Sequence, residues 1–235
     1  KNIKVYVGFI SIIKTEPKIK KINLVLEQFD IQKLKKLSAT FKPSNFTSFI
    51  NNKVIKGRLN LELDVYLNDR NLFEDFIAKG SVTNLKTEII DNINLDKINF
   101  TFFLDKTDAL IKNFSGESGP IKINNGDLKL KFSPEILIDT NFATNIKYNN
   151  NFTNFKNLIN KISHTKNIIS FEADLDNSFS VNLDKTYKIR KYDHKSKGKI
   201  SKAYFKFKKP LKNNLLDKDI DQLLLENSEF RANFN

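Results

Sequence analysis

Residues 57–68 read GRLNLELDVYLN, and their alternation decides the fold. Leu59, Leu61, Leu63, Val65 and Leu67 fall on one side of an extended chain, while Asn60, Glu62, Asp64, Tyr66 and Asn68 fall on the other. Period two is the signature of a β-strand with one apolar face. The same pattern returns at Ile98, Phe100, Phe102 and Leu104, and at Ile136, Ile138, Thr140, Phe142, Thr144 and Ile146. It returns again at Ile169, Phe171, Ala173 and Leu175, and in Ala203, Phe205 and Phe207. The fold class expected is mainly β, an elongated, strongly curled antiparallel sheet (open groove or taco-like) with two or three short helices, beside which the alternation equally allows a β-sandwich or barrel whose halves cover each other.

Outward from this strand, the chain divides by its turn residues. Residues 3–13 and 19–26 read as a hairpin about Glu16-Pro17, because the residue before proline is pushed toward extended conformations. Ile31, Leu34, Leu37 and Phe41 recur at helical spacing after Asp30, which is placed to cap a short helix. Beyond Gly57, turn signals at Asn68-Asp69, Asn84, Asp91-Asn92, Asp105-Lys106, residues 116–120, residues 124–126 and Ser133-Pro134 predict a meander. Asn125-Gly126 is the strongest of them. Asn-Gly accepts the positive φ of a type I′ turn, so Ile121 and Ile123 are expected to pair with Leu128 and Leu130 across it. A second helix is expected from Phe152, Phe155, Leu158, Ile159 and Ile162, a turn at Asp176-Asn177, and a third helix over residues 215–225. The domain reading is one β-groove section over 1–235 and, if it is subdivided, pieces of 1–50, 51–150 and 164–235.

Composition bounds what such a sheet can do. The 235 residues are 40% hydrophobic and 29% charged, with 21 Phe and no Cys, Met or Trp. Disulfides, thiolate metal sites and a thiol nucleophile are thereby excluded. The net charge of +13 is partly a habit of a chain rich in Lys, Asn and Ile, so a polyanion partner needs clustering and not totals. The clustering lies in residues 185–212, where Lys202, Lys206 and Lys208 share a strand face opposite Phe205 and Phe207. They are the candidates for anionic headgroups or polyanions. His164 and His194 have no metal-ligand or triad spacing and read as solvated loop residues. Asp174 and Asp176 lack the Gly and terminal Glu of a calcium loop and read as acids flanking a turn. No cofactor and no enzymatic activity is expected. The chain begins at Lys1 and holds no run of roughly 20 apolar residues, so it reads as a piece of a longer protein that is soluble or peripheral in itself.

A sheet of about a dozen strands, each of roughly ten residues, measures roughly 33 by 58 Å and has one apolar face to cover. Three short helices shield only about a quarter of it. The face must fold over itself or hold something else. In the second case its apolar side is a groove for acyl chains, lined by Leu59, Leu61, Leu63, Val65, Ile98, Phe100, Phe102, Leu104, Ile136, Ile138, Phe142, Phe171, Leu175, Phe205 and Phe207.

Three stretches carry a family resemblance: residues 20–37, KKINLVLEQFDIQKLKKL; residues 57–86, GRLNLELDVYLNDRNLFEDFIAKGSVTNLK; and residues 110–132, LIKNFSGESGPIKINNGDLKLKF. In their strand rhythm and in the turn-like GSVTNL segment, the chain resembles the AsmA-like family of bacterial envelope proteins, the bridge-like lipid-transfer proteins. The resemblance implies a non-enzymatic section of a conduit that carries phospholipid between the inner and outer membranes. It places the protein in the cell envelope of a Gram-negative bacterium, on the periplasmic side of the inner membrane. Phospholipid is the expected partner, with membrane attachment through regions outside this fragment, other envelope proteins as further partners, and no nucleic acid. Two readings from other classes stand beside it: a structural or outer-membrane assembly scaffold with a filled β-sandwich, and a polyanion-binding module using the 185–212 face.

Overall fold

A computed structural model of the chain describes residues 2–8, 18–33, 52–90, 93–132, 135–155, 166–184, 188–211 and 220–234. They form eleven strands: β1 (Asn2–Val7), β2 (Ile19–Asp30), β3 (Val54–Leu67), β4 (Phe73–Ile90), β5 (Ile93–Asp105), β6 (Asp108–Ser118), β7 (Ile121–Lys131), β8 (Ile136–Asn149), β9 (Lys166–Leu183), β10 (Ile189–Leu211) and β11 (Ile220–Phe234). All eleven join in one antiparallel sheet whose spatial order is the sequence order. The sheet is mainly β, open and not closed, with β1 and β11 at its two edges. Strand pairs in substantial contact are neighbours in that order. Among the described residues the two buried apolar clusters each draw on neighbouring strands, one on β2 to β5 and the other on β9 to β11.

Short polar turns set the meander. Asn68 accepts hydrogen bonds on Oδ1 from the Arg70 and Leu72 amides (2.9 and 3.1 Å) between β3 and β4. Asp105 accepts from the Thr107 and Asp108 amides (2.7 and 2.9 Å) between β5 and β6, the local side-chain-to-backbone bonding that Asn and Asp favour in turns. Gly119, at φ 52°, and Pro120 turn the chain between β6 and β7.

Four expected boundaries are corrected, the first being Asn84, which lies inside β4 as a left-handed strand residue at φ 49° and not in a turn. Asn125-Gly126 is not a hairpin turn but an irregularity inside β7, where the pairing with β8 shifts between Asn124 and Asp127. Asn125 does take positive φ, 51°, but a bulge uses the same left-handed residue as a type I′ turn. Asp176 and Asn177 lie in the middle of β9, paired on both sides. The third expected helix is strand where it is described: residues 220–225 belong to β11, because pairing with the 23-residue β10 satisfies their backbone and overrides an ambiguous Leu pattern. Of the first expected helix, Gln32 and Lys33 are helical, with the Gln32 amide donating to Asp30 Oδ1 at 3.0 Å as expected of a cap. Of the second, residues 153–155 are helical. Ile31 is in a turn and Phe152 is not helical, while residues 34–41 and 156–162, the turns at Glu16-Pro17, Asp91-Asn92 and Ser133-Pro134, and His164 lie outside the described residues.

Left-handed residues bend the sheet. Among the described residues seven other than glycine have positive φ; Asn71 sits in the β3–β4 turn, and Gln28, Asn84, Lys97, Asn113, Asn125 and Asn227 sit within strands. Three of these bulges are capped from the neighbouring strand. The Gln28 amide donates to Asn60 Oδ1 (2.8 Å), that of Asn84 to Asn99 Oδ1 (3.0 Å) and that of Asn113 to Asp127 Oδ1 (3.3 Å). A bulge adds one residue to one strand and increases the local twist and bend, so the five at Gln28, Asn84, Lys97, Asn113 and Asn125, where the pairing register shifts, curl the sheet; at Asn227 the register with β10 is unbroken.

Candidate functional site

Residues directly opposite in an antiparallel pair share a face, so the pairing tells which side chains line up across the sheet. From Leu63 the row runs outward through Leu24 to Ile3. In the other direction it passes Ala78, Leu104, Ala109, Leu130, Ile138 and Val181 to Tyr192. One apolar residue is thus contributed by each strand from β1 to β10, over about 43 Å at the usual strand spacing. The adjacent row holds Leu26, Leu61, Gly80, Phe102, Ile111 and Leu128, then Thr140, Phe179 and His194.

All fifteen expected groove residues lie on this one face. Leu59 and Phe100 meet it through Val82, Val65 through Ile22 and Phe76, and Ile98 through Leu85. Ile136 pairs with Leu183 and Leu175 with Thr144, and Phe142 alternates with Thr140 and Thr144 on the same side. Phe171 pairs with Tyr148 and Ala203, and Phe205 with Ile168 and Leu223; Phe207 continues the alternation of Phe205.

Packing on the face is uneven. Leu26, Phe29, Ile31, Val54, Leu59 and Val82 form one buried cluster, with Leu61, Phe100 and Phe102 against it. Ala173, Ile200 and Ala203 form another, with Phe171, Leu175 and Phe205 against it. On the sheet between them, a cavity of about 200 Å³ is lined by Phe100, Ile111, Phe114, Ile123, Leu128 and Phe142, with Thr140 and Asp127 also bordering it. The Phe100 ring sits 6.3 Å from both Phe102 and Phe114. Toward the first edge the face opens, with Ile3 and Val5 70% and 53% exposed. Sequence reasoning missed Ile111 and Phe114. Their signal was a change of parity, since Ala109 and Ile111 are odd and Phe114 is even, with left-handed Asn113 between them.

The other face is mostly polar, and over β2 to β4 its charges are paired. Lys79 and Glu62 are directly opposite and joined at 3.1 Å. Lys21 reaches Asp64 at 2.9 Å, and Asn23 Nδ2 donates to Asp64 Oδ1 at 2.7 Å. Burial pushes the Asp64 carboxyl up, but the hydrogen bonds from Asn23 and Lys21 outweigh it and hold the group below the usual carboxylate range. The hydrogen bond to Asp64 likewise raises the Lys21 ammonium above its ordinary value.

Lys202 and Lys206 project from this polar face, and the structure does not bring them together with the groove residues. Lys202 lies directly between Glu172 on β9 and Glu226 on β11, and Lys199 between Asp174 and Glu229. Much of the basic stretch is thereby flanked by acids, as cross-strand pairing favours. Lys208 belongs to β10. His194 is corrected from a solvated loop residue to a half-buried strand residue, its ring 6.0 Å from that of Phe179 and edge-on to it at 78°. Asp174 and Asp176 are surface acids within a strand and do not flank a turn. Among the described residues no group of three or more His, Cys, Asp or Glu side chains is placed to hold a metal ion. No described helix is long and apolar enough to cross a membrane.

No protein-family model, curated protein or solved structure matches this chain.

Proposed function

We propose that the apolar face is a lipid-binding surface, and that the chain is a non-enzymatic section of an AsmA-like cell-envelope protein that conducts phospholipid. The observation that supports this reading is the apolar row from Ile3 to Tyr192, which crosses ten strands with no charged residue in it. A path for acyl chains needs continuity more than a deep pocket, because each methylene withdrawn from water contributes only about 0.8 kcal/mol and the gain accumulates along the chain. The path runs across the strands, so its length grows with strand number. Acyl chains lie along it, headgroups stay at its rim in water, and the cavity beside Phe100 and Phe142 holds part of a chain.

Native mass spectrometry of the chain purified from a bacterial envelope, with extraction and identification of any bound lipid, tests this. Phospholipid is expected to accompany the wild-type chain and to be lost in Leu61→Asp and Phe102→Asp, while Glu62→Gln on the opposite face retains it. Circular dichroism reports whether each variant is folded. A folded wild-type chain free of lipid, or retention of lipid by folded groove-charge variants, overturns the reading.

A further inference from the structure

The polar face carries two troughs of opposite character. In the first, lined by residues of β2 to β6, three cations (Lys56, Arg58 and Lys97) meet three carboxylates (Asp30, Asp96 and Glu117). Its charges are matched internally. Lys97 pairs with Glu117 at 2.7 Å, and Asp96 pairs with the nearby Lys86 at 2.9 Å.

The second trough, of about 810 Å³, lies over β7 to β11 and is lined by Lys195, Lys197 and Arg231 with one carboxylate, Asp176. Lys197 and Arg231 are directly opposite each other across the β10–β11 ladder. Like charges in that position destabilise a sheet. Asp176 faces Lys197 from the other side, yet among the described residues none of these three side chains enters an ion pair or hydrogen bond. Lys195 alone is engaged, with Asp193 at 3.5 Å. Asn141 and Asn233, opposite Ser178 and Lys195, put two amides beside the cations.

We propose that this trough binds a phosphate-bearing polar molecule with neighbouring hydroxyls. An anion between Lys197 and Arg231 converts their repulsion into two charge-assisted contacts, with the Arg231 guanidinium suited to two oxygens of one phosphate. The amides of Asn141 and Asn233 both donate and accept, which is what vicinal hydroxyls require. A sugar phosphate and the phosphoglycerol headgroup of a lipid share this chemistry. The site is on the opposite face from the apolar rows and stands or falls independently of them.

The test uses the whole 235-residue chain and two probes. Glucose 1-phosphate is titrated calorimetrically at low and moderate salt, and vesicles of three parts phosphatidylcholine to one part phosphatidylglycerol are assayed by co-sedimentation. Saturable, salt-sensitive binding of either probe is expected, weakened at least tenfold by Lys197→Gln and by Arg231→Gln, and unchanged by Lys206→Gln on the same face outside the trough. Binding of glucose 1-phosphate assigns a free ligand, and binding of vesicles alone assigns a headgroup. Should Arg231→Gln fail to fold, Asn233→Ala reads the same site. The proposal is overturned if neither probe binds, if the trough variants bind like wild type, or if Lys206→Gln weakens binding as much as Arg231→Gln does, since that is diffuse charge and not a site.

Discussion

Gly126 on β7 lies opposite Phe114 on β6, so close that a Cβ on the glycine would stand 2.9 Å from the Phe114 Cβ. The glycine is there because an aromatic ring occupies the place of its side chain, on the wall of the cavity of the apolar face. Gly126→Val therefore displaces Phe114 and is expected to cost about 1–3 kcal/mol, the usual range for overpacking. Urea denaturation followed by circular dichroism measures it. Its neighbour Asn125, at φ 51°, behaves differently: Asn125→Gly is tolerated, since glycine adopts this conformation freely.

The two faces respond oppositely at adjacent positions. Leu63→Asn puts an amide in the middle of the apolar row and is expected to destabilise by about 1–3 kcal/mol. Glu62→Asn, one residue away and paired with exposed Lys79 at 3.1 Å, is expected to change stability by no more than about 0.5–1 kcal/mol. Equal losses in the two unfolding midpoints would be incompatible with a one-sided sheet.

Asp64 gives the sheet an acid-side dependence. Its folded-state carboxyl titrates below its unfolded value, through Asn23 and Lys21 acting against burial. The stability it contributes is present above the unfolded value of about 3.9 and is lost as pH falls through the lower folded one. As pH falls below about 4 the wild-type chain is therefore expected to lose stability more steeply than Asp64→Asn, as read from chemical denaturation at fixed pH steps.

Asp105 governs the β5–β6 turn through three hydrogen bonds from the next three residues' reach: the amides of Thr107 and Asp108 and the Thr107 hydroxyl. Asp105→Ala leaves those donors to water and is expected to cost about 1 kcal/mol. Asp105→Asn keeps an acceptor oxygen and is expected to recover part of the loss, as thermal melts of the three proteins would show.

The alternation is legible in the sequence over stretches that no bulge interrupts. β8 and the 59–67 stretch of β3 alternate without interruption and contain no strand residue of positive φ. At four switches in the parity of apolar residues a left-handed residue lies at the switch: Gln28 between Leu26 and Phe29, Asn84 between Val82 and Leu85, Asn113 between Ile111 and Phe114, and Asn125 between Ile123 and Leu128. A turn and a bulge place the same demand on one residue's φ, so the sequence at Asn125-Gly126 does not distinguish the end of a strand from a kink within one. Asp176-Asn177 misled in the same way, because polar residues that favour turns also occupy solvated strand positions. What decides between them is whether the flanking segments pair with each other or with third strands, and that is tertiary information. The groove residues were legible because facing depends only on parity. The unsatisfied Lys197–Arg231 pair was not, since the two residues are brought together by register alone.

Because each strand pairs only with its predecessor and its successor in the chain, the molecule can be assembled by accretion. Every new strand finds its template already in place, so the loops to be closed stay short, and folding need not await a distant partner as it must in most β architectures. The same arrangement makes length an evolvable quantity. Duplicating or deleting one hairpin would change the width of the sheet by about 10 Å, two strand spacings, and leave the register of the remaining strands as it was.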